Sequence, residues 1–271
     1  MLASYRLIQY LPDRMFPAPV TVGIAAWTAG ETRLRIIGFD VATNQPQTDV
    51  FRRAFDLPPD AEPMLLEWIR WFQDVVGQRG RFDEIGVPLL EHLESKDFPF
   101  VASQAGEADI ETRELDAFAD DLFRRAVLAS PQIRHARLEH AALNCLAAAG
   151  LTKAAGRLIE DAEIELPKTS AGRGLLNFAW FLDQGRDKVG FRLLDFEEIE
   201  SAVGRQVADA LNTFEAARTR ELLRRGQCFV LHGPGLDNHA QYAELLGEAA
   251  TLIDLSNADA AGALRAALRS T

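Results

Sequence analysis

Three β-rich runs in the second half of the chain, "GRLIEDAEIELP", "GLLNFAWFLD" and "KVGFRLLDF", are separated only by "KTSAGR" and "QGRD". Stretches so short and so rich in Gly, Ser and Asp are turns, so consecutive runs pair as hairpins and the three together form an antiparallel meander. A helical pattern precedes it, "SPQIRHARLEHAALNCLAAAG", with Ser130 as cap, Pro131 in the first helical position and Gly150 at the stop. After the meander come a long helix, roughly residues 200 to 225, and the apolar strand "CFVLHG". The "GPG" turn, the helix "NHAQYAELLGEA", the strand "TLIDLS" and a last helix follow, with "SNAD" at 256–259 expected to cap it as a capping box. Strand, helix and second short strand make a right-handed parallel crossover. The expected order is helix, meander, helix, strand, helix, strand, helix, which is a mixed sheet in an α/β module.

The first half reads differently. "SYRLIQYL" alternates, and "APVTVGIAAW" and "TRLRIIGFD" are strand-like and joined by "TAGE", which predicts a small antiparallel sheet. Gly23, inside the middle strand, marks a bulge or a close backbone approach. Helical patterns follow in "TDVFRRAF" and in "AEPMLLEWIRWFQDVVGQ", whose Leu65, Trp68, Ile69, Phe72, Val75 and Val76 recur at helical spacing as a core stripe. "FPFVASQA" resembles one more strand. "ETRELDAFADDLFRRAVLA" is an amphipathic helix with Leu115, Phe118, Ala119, Leu122 and Phe123 on one side. With 271 residues, the chain suits two domains at ~100 to 200 residues each. The seam is expected near residue 129, giving an α+β protein of domains 1–128 and 129–271.

The longest apolar stretches, such as "VGIAAW" and "HAALNCLAAAGL", fall short of the ~20 residues a bilayer demands, so no membrane contact is expected. "MLASYRLIQYLPD" lacks the basic start, apolar core and cleavage site of an export signal, which predicts a cytoplasmic location. Cys145 and Cys228 lie in apolar segments without metal spacing and read as small buried hydrophobes. The net charge is −11; residues 1 to 127 hold 13 Lys/Arg against 21 Asp/Glu, a field that opposes nonspecific attraction to phosphate backbones.

"YRLIQYLPD", then "VTVGIAAW", closed by "FVASQAGEADIETRELDAFADDLFRRAV", resembles the bacterial domain-of-unknown-function family 3037 over the first 127 residues. Tyr5, Tyr10, Pro12, Asp13, Val22 and Gly23 match that family's opening, while Thr21 stands where it usually has Asn and "FPAP" replaces an expected Glu. The resemblance implies a fold and no activity. More weakly, the order of elements in the second half, with "VLHGPG", is similar to domain-of-unknown-function family 1829 and to a PD-(D/E)XK nuclease-like scaffold in degenerate form.

That similarity sets a chemical test. A nuclease of this kind converges a carboxylate from one strand and an acid-x-Lys from the next on a Mg²⁺ and its water. The first strand supplies Asp161, Glu163 and Glu165, spaced to alternate onto one face, with Glu139 available from the helix before. The next has no acid until Asp183 and no acid-x-Lys, which leaves Lys168 and Lys188 in or beside turns. His135 and His140 project about 140° apart on a helix, so they do not make a zinc pair. His232, Asp237, Asn238 and His239 surround a glycine turn without a phosphate-loop motif, and a tight turn with a helix cap at Asp237 or Asn238 accounts for them. Neither a GxSxG elbow nor an activated cysteine is present. Arg218, Arg220, Arg224 and Arg225 crowd the end of the long helix, where cations complement the helix dipole. With Arg134 and Arg137 they offer a modest nucleic-acid or anion contact.

The reading is therefore an accessory protein that binds another protein and is not itself catalytic. The company those families keep suggests a phage-defence, mobile-element or toxin–antitoxin setting. No cofactor is expected. The alternatives are a Mg²⁺-dependent nuclease on Asp161, Glu163, Glu165 and Lys168 or Lys188, and a protein that binds nucleic acid without cutting it, which the net charge does not favour.

Overall fold

A computed structural model describes residues 2–11, 19–40, 45–77, 100–103, 106–110, 114–152, 158–166, 175–184 and 187–270. The chain divides into two compact units, Met1–Arg137 and Leu138–Thr271.

In the first unit, β1 (Leu2–Tyr10) pairs antiparallel with β2 (Val20–Trp27), which pairs with β3 (Thr32–Ile36). The "FPFVASQA" region forms one strand, as expected, and a second short strand lies just beyond it. Both β6 (Phe100–Ala102) and β7 (Gly106–Asp109) pair with the other edge of β1. Between them, β4 (Phe39–Asp40) and β5 (Gln45–Pro46) make a separate small ladder. Helices α1 (Thr48–Ala54), α2 (Glu62–Gly77) and α3 (Leu115–Phe123) complete the unit with the start of α4 (Pro131–Ala148).

The opening stretch behaves as core. Period-two alternation sends Tyr5 and Tyr10 to opposite faces of β1. Tyr5 meets Phe118 of α3 edge-on, and Tyr10 meets Phe51 of α1, Phe55 just after that helix and Phe100 of β6 with ring centroids 5.1, 4.6 and 5.3 Å away. Aromatic pairs in such tilted geometries contribute roughly 0.5 to 1.5 kcal/mol each beyond their burial. Gly23 does both things expected of it. The β1–β2 register shifts between Ile8 and Gln9 beside it, and a Cβ there would stand 2.8 Å from the Arg35 carbonyl oxygen. Pro12 and Asp13 lie outside the described residues. The helical stripe of α2 is core, with Leu65, Ile69 and Phe72 all buried; the side chains of Val75 and Val76 lie outside the described residues.

The second unit is the mixed sheet the spacing predicts. β8 (Leu158–Glu165), β9 (Leu175–Gln184) and β10 (Asp187–Leu194) form the antiparallel meander, and β11 (Cys228–His232) and β12 (Thr251–Asp254) add in parallel, in the order β12-β11-β10-β9-β8. Along β11, Cys228 and Val230 pack against α5 (Glu200–Thr219) and α6 (Ala240–Ala249), whereas Phe229 and Leu231 pack against α4 and α7 (Ala260–Arg269). Helices therefore cover both faces of the sheet. Pro131 opens α4 and Gly150, at φ +89°, follows its end.

Two local expectations are corrected. The long helix α5 stops at Thr219, short of residue 225, because Glu221 turns left-handed at φ +56° and the Leu222 N–H returns to the Ala217 carbonyl. The "SNAD" capping box does not form. Asp254 Oδ1 accepts from the Ser256 N–H and hydroxyl, Asn257 Oδ1 accepts from the Asp259 N–H, and no side chain caps α7.

Candidate functional site

The residues singled out by sequence do not gather into one centre. Glu163 and Glu165 are exposed on β8, and Asp161 is exposed with φ +48°, a left-handed geometry in mid-strand. Leu158 packs in one sheet cluster and Ala162 and Leu166 in the other, so the alternation changes phase at Asp161 and the expected row of acids is interrupted at its first member. Lys188 pairs with Asp183, whereas Glu163 pairs with Asn177 and Glu165 with Leu175. At ~3.3 Å per residue those registers put Lys188 about 20 Å along the sheet from Glu163 and about 26 Å from Glu165. Lys168 lies outside the described residues. Among the described residues, no group of three His, Cys, Asp or Glu side chains is placed to hold a metal ion.

His135 is exposed on α4, and Nε2 of His140 lies 3.0 Å from the Asn144 amide nitrogen. His232 is buried and donates from Nδ1 to the Gly233 carbonyl at 2.7 Å. The glycine turn closes over Phe196, with Gly235 at φ +98° and its absent Cβ only 3.0 Å from the Phe196 carbonyl oxygen. His239 stacks on Tyr242 and lies tilted against Phe196. Neither Asp237 nor Asn238 caps α6; both sit within the 3-10 turn Leu236–His239.

The arginines divide between the units. Arg134 and Arg137 belong to the first. In the second, Arg218 is in the last turn of α5 and Arg220 follows it, while Arg224 and Arg225 stand beyond the helix before β11. The Arg225 guanidinium reaches the Gly247 carbonyl at 3.3 Å. Both thiols are buried. Burial pushes Cys145 up, and pushes Cys228 up to about 11 despite the nearby charge of Arg218.

A different constellation, built from residues far apart in sequence, forms in the first unit. A cleft of about 470 Å³ is bounded by the end of β3 and the β4 ladder (Ile36, Gly38, Phe39), by Val50 of α1, and by Phe123 and Leu128. That volume lies in the range of ligand sites, roughly 300 to 1,000 Å³. Phe123 immediately precedes, and Leu128 ends, a π-helical turn, Arg124–Leu128, closed by the Ala129 N–H on the Arg124 carbonyl at 3.0 Å. Five residues apart on an α-helix they would diverge by about 140°; the wider π turn lets both line the cleft.

The polar side of the cleft is Arg35, Asp40, Gln47, Asp120 and Arg137. Arg35, only 11% exposed, is engaged through all three of its nitrogens: Nε donates to Asp120 Oδ1 at 2.6 Å, Nη2 to Asp116 Oδ1 at 3.0 Å and Nη1 to the Leu34 carbonyl at 3.0 Å. Arg33 Nε reaches the same Asp116 oxygen at 2.8 Å. The hydrogen bond from Arg33 above all, with Arg35 adding to it, holds the Asp116 carboxyl below the usual carboxylate range. Gln47 Nε2 donates to Asp40 Oδ2 at 3.3 Å. Arg137 is the exception. It is exposed at the rim, and no described residue pairs with its guanidinium.

Of this set, sequence reasoning reached only Arg137, and for another reason. The one local signal was the Arg-x-Arg of β3 and the Asp-x-x-x-Asp of α3, two strongly polar pairs of opposite charge. No family model matches the chain, and neither a curated protein nor a solved structure matches it. No helix among the described residues is long and apolar enough to cross a membrane.

Proposed function

We propose that the chain is a non-catalytic accessory protein that holds a protein partner, with the cleft of the first unit as its recognition site. The carrying observation is the guanidinium of Arg137, with which no described residue pairs, at the mouth of a cleft of mixed apolar and polar lining whose other charged side chains are engaged. Rigid elements frame it, since strand β3 and helix α3 are tied by the Arg33, Arg35, Asp116 and Asp120 network. Such a site offers an apolar contact from Phe39, Val50, Phe123 and Leu128 and one directional charge, the combination that anchors a short segment of another chain. A setting in phage defence, mobile elements or toxin–antitoxin control is part of the same proposal and rests on the family resemblances alone.

The test is affinity purification of the tagged protein from its own host at low and moderate salt, in wild-type form and as Arg137→Glu, with mass spectrometry of both eluates. A stoichiometric protein in the wild-type eluate, depleted at least severalfold in the variant, supports the reading. A wild-type eluate without a protein partner, or a partner indifferent to Arg137→Glu, contradicts it.

A further inference from the structure

We infer that the group read at the rim of the cleft is a carboxylate on an apolar body, received by the guanidinium of Arg137. This rests on the reading of the cleft as a recognition site. Charge accounting carries it. Two carboxylates border the cleft, and both are engaged: Asp120 by Arg35, and Asp40 by Gln47. Arg35 gives three of its five N–H donors to Asp116, Asp120 and a backbone carbonyl, and its charge is paired with both carboxylates. What remains is one positive, fork-shaped donor, whose geometry matches the two oxygens of a carboxylate.

The surroundings select among anions. A dianion such as a phosphate monoester would meet the fields of Asp40 and Asp120 with twice the charge of a carboxylate and gain only one guanidinium, so a monoanion is preferred. They also select the body. Phe39, Val50, Phe123 and Leu128 give the cleft an apolar side that includes two rings, suited to an aromatic or branched aliphatic group placed a few bonds from the acid. A free organic acid and the chain end or acidic side chain of a protein share this chemistry.

The probe is 4-phenylbutyrate, compared with 4-phenylbutyramide, which keeps the body and removes the charge. Binding to the purified full chain is followed by ligand-detected NMR for wild type, Arg137→Gln and Arg134→Gln, the last changing a cation one helical turn away. Saturable binding of the acid is expected, about tenfold or more weaker for the amide, weakened to the same degree by Arg137→Gln and retained in Arg134→Gln. Equal binding of acid and amide, indifference to Arg137→Gln, or no binding of either probe overturns the inference. Acid binding in a protein that yields no partner from its host keeps the inference, assigns the ligand as a free acid and removes the protein-partner reading. A cleft-dependent protein partner together with equal acid and amide binding does the reverse.

Discussion

Arg35 on β3 and Asp120 on α3 are joined by a 2.6 Å hydrogen bond between residues 85 apart in sequence, and that bond fixes one wall of the cleft to the helix beside it. The network it belongs to lies largely in water, with Asp116 and Asp120 57% and 64% exposed, so its energy is modest. Asp120→Ala is expected to cost no more than about 1 kcal/mol in urea unfolding. A larger loss would mean that the network supports the fold as well as the wall.

Asp116 gives that network a pH signature. Its carboxyl is held below its unfolded value, so its stabilising contribution is present above the unfolded pKa of about 3.9 and is lost as pH falls through the lower folded value. The stability gap between wild type and Asp116→Asn should be constant near neutral pH and close under acid below that value. Chemical denaturation across the acid range measures it, and a gap that widens under acid would be inconsistent with the assignment.

Gly23 is required by space. A Cβ would stand 2.8 Å from a backbone oxygen of β3, an atom that moves only with the sheet. Gly23→Ala is expected to destabilise by roughly 1 to 3 kcal/mol. Gly30→Ala, in the β2–β3 connection where a Cβ meets nothing within 4 Å, is the matched control and should be nearly silent in the same thermal melts.

The thiols should be inert in the native state. With Cys228 at about 11 and Cys145 also raised by burial, neither forms thiolate near pH 7.5. Both groups bind their protons more tightly when folded, so their contribution to stability is intact below the unfolded pKa of about 8.5 and declines as pH rises through the raised folded values. Labelling by iodoacetamide should be slow in buffer and rapid in urea. Fast native labelling at Cys228 would contradict its burial.

Much of the fold was legible in sequence because period and punctuation agreed. The three runs between "KTSAGR" and "QGRD" became β8, β9 and β10, and Pro131 and Gly150 bracketed α4. Legibility failed where the backbone turns left-handed at a residue other than glycine. Nothing in "ARTRELLRRG" stops a helix before Gly226, yet Glu221 takes the left-handed turn that glycine usually supplies. Asp161 likewise reads as one member of an alternating row, and its φ of +48° breaks that row. The cleft was illegible for a simpler reason. Arg35, Gln47, Asp120 and Arg137 have no common spacing, and the π turn that brings Phe123 and Leu128 together has no sequence motif.

The most direct measurement of the central claim is site-specific photocrosslinking in the native host. Phe39, a half-buried cleft residue, is replaced by p-benzoylphenylalanine, a conservative change of ring, and Glu163, exposed on β8, is replaced in the same way as comparison. The account predicts a covalent adduct with one protein from position 39 and none from position 163. An adduct only from position 163, or no adduct from position 39 in a variant shown by circular dichroism to be folded, would contradict it.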